Sequence, residues 1–166
     1  TVFVDLITAV GVGIVLASLL FVKRMSDLQL ENINMITNGS DPSTLTPEEA
    51  EILDQAEGRV VMFELGGPFS FGVARGMARR LGAADEYGAL VLDLSNVPMV
   101  DSSAGLALGD VIQQALALDK PVFVIGMCPR VQDTLTKLGV TRLLSEDRSS
   151  GTRLEALKAA ADLTAS

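Results

Sequence analysis

The chain has 166 residues, enough for one modest domain with a buried core, and 48% of them are hydrophobic. Its net charge is −8 and its sequence shows no basic stripe, so nucleic acid is not an expected partner. Histidine is absent, which excludes Ser-His-Asp and Cys-His catalysis and zinc sites built from imidazole. The single cysteine, Cys128, is interpreted as a helix-start or core residue. We therefore expect no catalytic site, no metal site and no cofactor, so the chain is not predicted to be an enzyme.

The longest apolar run lies at the start of the chain. Residues 2–22 carry one charge, Asp5, and are long enough to cross a bilayer as a helix. Lys23 and Arg24 follow directly, and positive charge on this flank predicts that the rest of the chain is cytoplasmic. Residues 1–24 are thus predicted to form a transmembrane helix. The alternative is a buried core helix of a soluble protein.

Residues 25–57 are predicted to form an exit helix and a linker. Residues 25–38 favour a helix that leaves the membrane, and residues 39–46 are rich in turn formers. The sequence TPEE at 46–49 is a capping box with proline at the first helical position. It predicts a short helix to about Ala56, interpreted as a simple spacer.

From residue 58 to residue 166, strand and helix patterns alternate. Such alternation predicts an α/β fold in which helices pack on a mixed, mainly parallel sheet. The predicted strands cover residues 59–65, 89–94, 121–126 and 141–144. The predicted helices cover residues 73–81, 104–118, 129–138 and 152–163.

The first of these helices is amphipathic. Its apolar stripe consists of Val73, Ala74, Met77, Ala78 and Leu81. Its opposite side carries Arg75, Arg79 and Arg80. We interpret the arginines as a solvated face, with an anion or an acidic partner as the alternative.

A polar junction follows the strand at residues 89–94. Asp101, Ser102 and Ser103 stand where the chain begins a helix, and such side chains cap helices by accepting hydrogen bonds from free N–H groups. A phosphate on either serine would gain from those N–H groups and from the helix dipole, yet would repel Asp101. Capping alone and regulatory phosphorylation both stay open. A serine nucleophile is disfavoured because no general base adjoins it.

A glycine-proline turn follows the strand at residues 59–65. Gly67 permits a positive φ, and Pro68 stiffens the bend before Phe69. These three residues are interpreted either as a simple turn or as a surface that faces a partner domain or a membrane.

Three segments of the chain resemble known proteins. Residues 92–103, LDLSNVPMVDSS, resemble the signature of STAS domains, which sulphate transporters and anti-sigma-factor antagonists share. Residues 67–72, GPFSFG, are similar to a segment that the transporter branch carries after its first strand. Residues 5–24 resemble the last membrane helix of the SulP anion transporters, which leads into their cytoplasmic STAS domain. The resemblance identifies the chain as the C-terminal part of a SulP transporter, with the cyanobacterial bicarbonate branch preferred.

The resemblance implies a proton- or sodium-coupled carrier of bicarbonate, sulphate or a dicarboxylate, working as a homodimer in the plasma (inner) membrane. Residues 58–166 would be its cytoplasmic STAS domain, which supports assembly, trafficking and regulation. This domain would contact the transporter's own membrane domain, and residues 2–22 would contact the lipid bilayer. The anion sites would lie in membrane helices outside this sequence.

The resemblance also implies an alternative function. In the anti-sigma-factor antagonists a partner kinase phosphorylates the second serine of the motif, which matches Ser103. Their motif continues with glycine, whereas here Ala104 precedes Gly105. The alternative is therefore a soluble phospho-switch module that binds an anti-sigma factor. A nucleotide hydrolase is disfavoured because the sequence has no lysine-containing phosphate loop.

Overall fold

The computed structural model describes residues 2–30, 33–40, 45–84, 87–145, 148–149 and 151–165 and, within the first helix, the side chains of residues 8–22. The chain divides into two compact units, Thr1–Glu31 and Asn32–Ser166.

The first unit is formed by one helix, α1 (Val2–Leu30). Its large apolar side chains between Val10 and Val22 are 53% to 69% exposed. Within the described ranges, no helix combines the length and the apolar character needed to cross a membrane. The transmembrane helix predicted over residues 2–22 is therefore not confirmed.

The second unit is an α/β domain built around four strands, and this confirms the predicted fold class. The strands are β1 (Ile33–Ile36), β2 (Val60–Gly66), β3 (Ala89–Asn96) and β4 (Val122–Ile125), in the spatial order β1-β2-β3-β4. The helices are α2 (Pro47–Gln55), α3 (Phe71–Gly82), α4 (Ser102–Ala117), α5 (Pro129–Lys137) and α6 (Arg153–Ala165). β1 pairs antiparallel with β2, while the pairs β2–β3 and β3–β4 are parallel. The sheet is thus mixed and mainly parallel, as predicted.

Helices cover both faces of the sheet, which explains the nearly continuous apolar runs of β2 and β3. Helices α2 and α6 pack together on one face of the sheet, where they cover Met62, Val91 and Phe123 of the strands. Alternate strand residues point to the other face. There α3 and α4 lie side by side, because the β2–α3–β3 and β3–α4–β4 crossovers share one hand.

The capping box that starts α2 is present as predicted. Thr46 N–H donates to Glu49 Oε2 at 2.8 Å, and Glu49 N–H donates to Thr46 Oγ1 at 3.3 Å. The interpretation of this helix as a simple spacer is wrong, because Leu53 is fully buried and α2 packs against α6.

Two secondary-structure predictions are wrong. Residues 33–36, predicted as helix, form β1, because Ile33 and Ile36 are buried and the strand pairs with β2. Pairing of this kind overrides local propensity. Residues 141–144, predicted as a strand, lie in and just after a 3₁₀ turn at Val140–Leu143, where the side chain of Val140 packs beside Gly109. Part of the predicted linker, residues 41–44, lies outside the described residues.

The prediction for α3 is confirmed with two exceptions. Arg75 and Arg79 are exposed, but Ala78 is exposed as well and does not belong to the buried stripe. Arg80 is only half-exposed, and its Nη1 donates to the carbonyl oxygen of Ile33 at 2.6 Å. Arg80 therefore ties α3 to the edge strand β1 instead of belonging to a solvated face.

Candidate functional site

Two turns lie side by side at the carboxyl ends of β2 and β3, and together they form the candidate site. Gly67 N–H donates to the carbonyl of Asn96, and Phe69 N–H donates to the carbonyl of Met99, both at 2.9 Å. Asp101 N–H donates back to the carbonyl of Phe69 at 3.3 Å. The glycine-proline turn and the Asp-Ser-Ser junction, 32 or more residues apart in sequence, are thus joined by backbone hydrogen bonds.

Asp101 is the N-cap of α4. Its Oδ1 accepts a hydrogen bond from Ala104 N–H at 2.7 Å, and its backbone is extended. The predicted capping role is confirmed, because one free N–H of the helix end is satisfied by this carboxylate. Ser102 and Ser103 occupy the first turn of α4, and both are exposed.

The glycine-proline turn presents less side-chain surface than its sequence suggests. Gly67 adopts a φ of 65°, the left-handed conformation that glycine accommodates without strain. Phe69 is 1% exposed and packs into the core, so Pro68 supplies the exposed side chain of this turn. Phe71, at the start of α3, is 46% exposed and lies 5.7 Å beneath the guanidinium of Arg75.

A buried charge cluster on the α6 face was not predicted from the sequence. Arg153 donates from Nε to Asp93 Oδ2 at 2.7 Å, and its Nη2 lies 2.6 Å from the same oxygen. The same nitrogen lies 3.5 Å from Glu64 Oε1. Asp93 is 1% exposed, and its Oδ1 also accepts from Ser95 N–H at 2.9 Å. Glu64 and Asp93 are register partners on β2 and β3, so the strand pairing places their side chains together.

One sequence signal for this cluster was available. The apolar runs VVMFEL and ALVLDL each contain a single acidic residue, and a buried carboxylate requires a cationic or hydrogen-bonding partner. The sequence alone does not say which cation provides it, because Arg153 follows Asp93 by 60 residues. The arrangement joins the start of α6 to two strands.

Cys128 lies at the N-cap position of α5, as predicted for a helix-start residue. Its Sγ lies 3.7 Å from the carbonyl oxygen of Val97 and 3.9 Å from that of Pro98. Over the described part of the chain, no three cysteine, aspartate or glutamate side chains are grouped to hold a metal ion.

Known proteins with similar sequences contain or match a STAS domain or are anion transporters. A family model for the STAS domain matches residues 51–153. Bicarbonate transporters named BicA from Picosynechococcus sp. and Synechocystis sp. are 40% and 41% identical to the chain over 158 residues. These matches cover 95% of this chain, which spans 28% of the length of each relative.

Solved structures of transporters and of a STAS domain resemble the fold of this chain. A sulfate transporter family protein from Wolinella succinogenes is 26% identical with a TM-score of 0.59, covering 65% of this chain and 89% of that one. The STAS domain of a SulP transporter from Vibrio cholerae is 31% identical with a TM-score of 0.50, covering 57% and 75%. SLC26A9, at 17% identity and a TM-score of 0.61, covers 93% of this chain and 28% of its own, and shows likeness of fold alone. With the family model matching more than half of its length, the chain belongs to the STAS domain family.

Proposed function

We propose that this chain is the cytoplasmic STAS domain of an ion-coupled anion transporter, together with the membrane helix that precedes it. The domain would serve assembly and regulation, and the transported anion would be bicarbonate, with sulphate as the second candidate. The observation that carries the proposal is the 40% identity to a bicarbonate transporter over 95% of the chain. In this proposal, transport takes place in the remainder of a longer protein.

We propose a membrane helix at residues 1–24 and a STAS domain that includes residues 58–166, with residues 25–57 between them. Because β1 and α2 pack into the second compact unit, we propose that the folded cytoplasmic part starts near Asn32. Support for the membrane helix comes from the apolar side chains between Val10 and Val22, each more than half exposed on α1. Contact with lipid would remove this surface from water.

Fractionation of cells that express residues 1–166 tests the membrane helix. We expect the chain in the plasma (inner) membrane fraction, resistant to an alkaline carbonate wash, because burial of the apolar face of α1 holds it there. Residues 32–166 are the matched control and are expected in the supernatant. Recovery of residues 1–166 in the supernatant would contradict the proposal.

Uptake measurements test the transport role. The longest natural form of the protein, reconstituted in vesicles, is expected to accumulate labelled bicarbonate when an ion gradient is imposed. The uptake rate is compared with that of the same protein without residues 32–166. We expect the two rates to differ, because a regulatory domain changes the rate or the assembly of the carrier. Uptake of labelled sulphate and not bicarbonate would move the proposal to the second anion.

We further propose that the surface formed by Pro68, Ser102 and Ser103 faces the transporter's own membrane domain. We also propose that the STAS domain self-associates. Sedimentation of residues 32–166 at increasing concentration is expected to show a dimer in exchange with a monomer. A strict monomer at the highest concentration would contradict a contact between STAS domains.

The second candidate function is a phospho-switch that binds a partner protein. It is favoured by one observation, the exposed Ser103 in the first turn of α4 beside the Asp101 cap. The variants Ser103→Asp and Ser103→Ala are expected to change partner affinity in opposite directions, while Ser102→Ala leaves it unchanged. Equal affinities for the two Ser103 variants would reject the switch.

A further inference from the structure

A cavity of about 260 Å³ opens between the C-terminal halves of α3 and α4. It lies beside the amino ends of β3 and β4. The candidate site lies at the other end of these strands. Small residues line it where the two helices face each other, namely Ala78, Gly82 and Ala115. A β-carbon added at Gly82 would meet no atom within 4 Å. The helices therefore leave this space unfilled.

Tyr87 supplies a nearly buried polar group to the cavity. Its side chain lines the space, and the residue is 8% exposed. Its hydroxyl forms no hydrogen bond in the described part of the chain, whereas every fully buried side-chain nitrogen and oxygen there has a partner. The hydroxyl thus keeps some access to solvent and remains available to a ligand.

Lys120 gives the cavity its charge. It is the one charged residue among the described residues that line the space, and its Nζ lies 3.7 Å from the ring centroid of Tyr87. None of the ion pairs found among the described residues involves it. The carbonyl of Ala115, at the end of α4, already accepts from the N–H groups of Leu118 and Lys120. The lining therefore presents apolar walls, a hydroxyl, an ammonium group and the polar side chain of Gln114.

We propose that this cavity binds a small organic monocarboxylate with an apolar body. The carboxylate would pair with the ammonium of Lys120 and accept from the hydroxyl of Tyr87, while the body lies against Ala115 and Leu118. The space of about 260 Å³ opens to solvent, and its volume is sufficient for a saturated six-membered ring with its carboxylate. The proposal is independent of transport and of phosphorylation at Ser103.

The sequence contains a built-in reporter for this site. Tyr87 is the one tyrosine of the chain, and tryptophan is absent, so intrinsic emission reports on the cavity. Residues 32–166 form a compact unit with its own sheet and core, and the similar STAS domain from Vibrio cholerae is a single domain. This unit allows the titration to be made without detergent.

Cyclohexanecarboxylate is the probe, with cyclohexylmethanol and cyclohexylmethylamine as neutral and cationic compounds of similar size. We expect a saturable change in Tyr87 emission with the carboxylate and about tenfold weaker binding of the alcohol, because a hydrogen bond to a charged group is lost. The amine is expected not to bind. Absence of saturation with the carboxylate, or tighter binding of the amine, would overturn the proposal.

Variants locate the probe. Lys120→Met keeps the apolar stem and is expected to weaken carboxylate binding about tenfold while leaving the alcohol within about twofold. Lys137→Met, on the exposed face of α5, is the matched control and should change neither affinity. Gly82→Leu should abolish binding of both compounds by filling the space, whereas Gly82→Ala should not. Thermal melting of each variant confirms folding, and unchanged binding in Lys120→Met or Gly82→Leu would show that the probe binds elsewhere.

Discussion

At the residue scale, two glycines with open space around them differ in backbone conformation. A β-carbon added at Gly82 or at Gly139 would meet no atom within 4 Å. Gly139 has a φ of 79° and ends the turn after α5, whereas Gly82 is the last residue of α3 and keeps a helical backbone. The two positions separate the cost of backbone strain from the cost of steric overlap.

We predict opposite effects of alanine at these two positions. Gly139→Ala should lower the free energy of unfolding by about 1–2 kcal/mol, because an alanine in the left-handed region brings its β-carbon against its own backbone. Gly82→Ala, the matched control, should raise it by about 0.5–1 kcal/mol through lower chain entropy in the unfolded state. Urea denaturation of both variants measures the difference, and a destabilised Gly82→Ala would show that the end of α3 requires glycine.

Tyr87 provides a second residue-scale prediction, on pH dependence. Burial raises the pKa of Tyr87 above the ordinary value of 10.0, because the buried phenolate loses solvation. The unfolded chain therefore ionises at a lower pH than the folded chain. The contribution of Tyr87 to stability is complete below pH 10.0 and is lost as the pH rises through the folded-state pKa.

Ultraviolet titration of tyrosinate tests this prediction directly, since the chain has a single tyrosine. The midpoint in the folded domain should lie above 10.0 and should return to that value in denaturant. The variant Tyr87→Phe should lose stability less steeply at alkaline pH. A folded-state midpoint at or below the denatured value would contradict the burial of this side chain.

At the scale of elements, α6 is held to the sheet in two ways. Ala156, Leu157 and Ala160 pack in the apolar core with residues of β2, β3 and β4. At its first residue, Arg153 pairs with the buried carboxylates of β2 and β3. The apolar contact buries one side of α6, and the ion pairs hold its first residue over the register pair Glu64 and Asp93.

We expect Arg153→Met to destabilise the domain by about 3–5 kcal/mol, because two nearly buried carboxylates lose this guanidinium. Lys158→Met is the matched control on the same helix. Its ammonium pairs with Glu48 at 2.8 Å, but both side chains are at least half exposed, so its loss should cost no more than about 1 kcal/mol. Thermal and urea unfolding compare the two.

A double-variant cycle separates lost pairing from lost packing. Asp93→Asn combined with Arg153→Met should be less destabilising than the sum of the single changes, since each single change leaves a buried charge. Additive effects would mean that the guanidinium does not act through Asp93. The cycle applies to residues 32–166, which contain every group involved.

At the scale of the whole molecule, the two compact units differ in how their apolar surface is treated. The second unit buries most of its large apolar side chains in two layers around one sheet, although Phe71, Leu106 and Leu118 are exposed, whereas α1 exposes all of those described between Val10 and Val22. Each unit is compact by itself, so the stability of the STAS domain should not depend on the first 31 residues.

We predict that residues 32–166 unfold with the same midpoint and denaturant dependence as the same unit within residues 1–166. The reason is that the sheet, both helix layers and the buried charge cluster all lie after residue 32. Urea unfolding followed by the emission of Tyr87 reports on this unit in both proteins. A lower midpoint for the shorter chain would show that α1 contributes to the stability of the domain.

Predictions from sequence succeeded where the physical cause is local. The Asp101 cap and the Thr46–Glu49 capping box each depend on side chains and N–H groups within three residues, so the residue types alone indicate them. The apolar strands β2, β3 and β4 follow from their composition, and their alternation with helices predicts a mainly parallel sheet. The resemblance of residues 92–103 to STAS domains indicated the family.

The tertiary structure decided what depends on residues distant in sequence. β1 forms because Ile33 and Ile36 find β2, and no local pattern contains that partner. Glu64, Asp93 and Arg153 meet because strand register places two carboxylates together, under the first residue of α6. The Tyr87 cavity exists because α3 and α4 pack with small residues facing each other. Capping and periodicity are fixed by a few neighbouring residues, whereas register and helix packing are properties of the whole sheet, and these placed the charge cluster and the cavity.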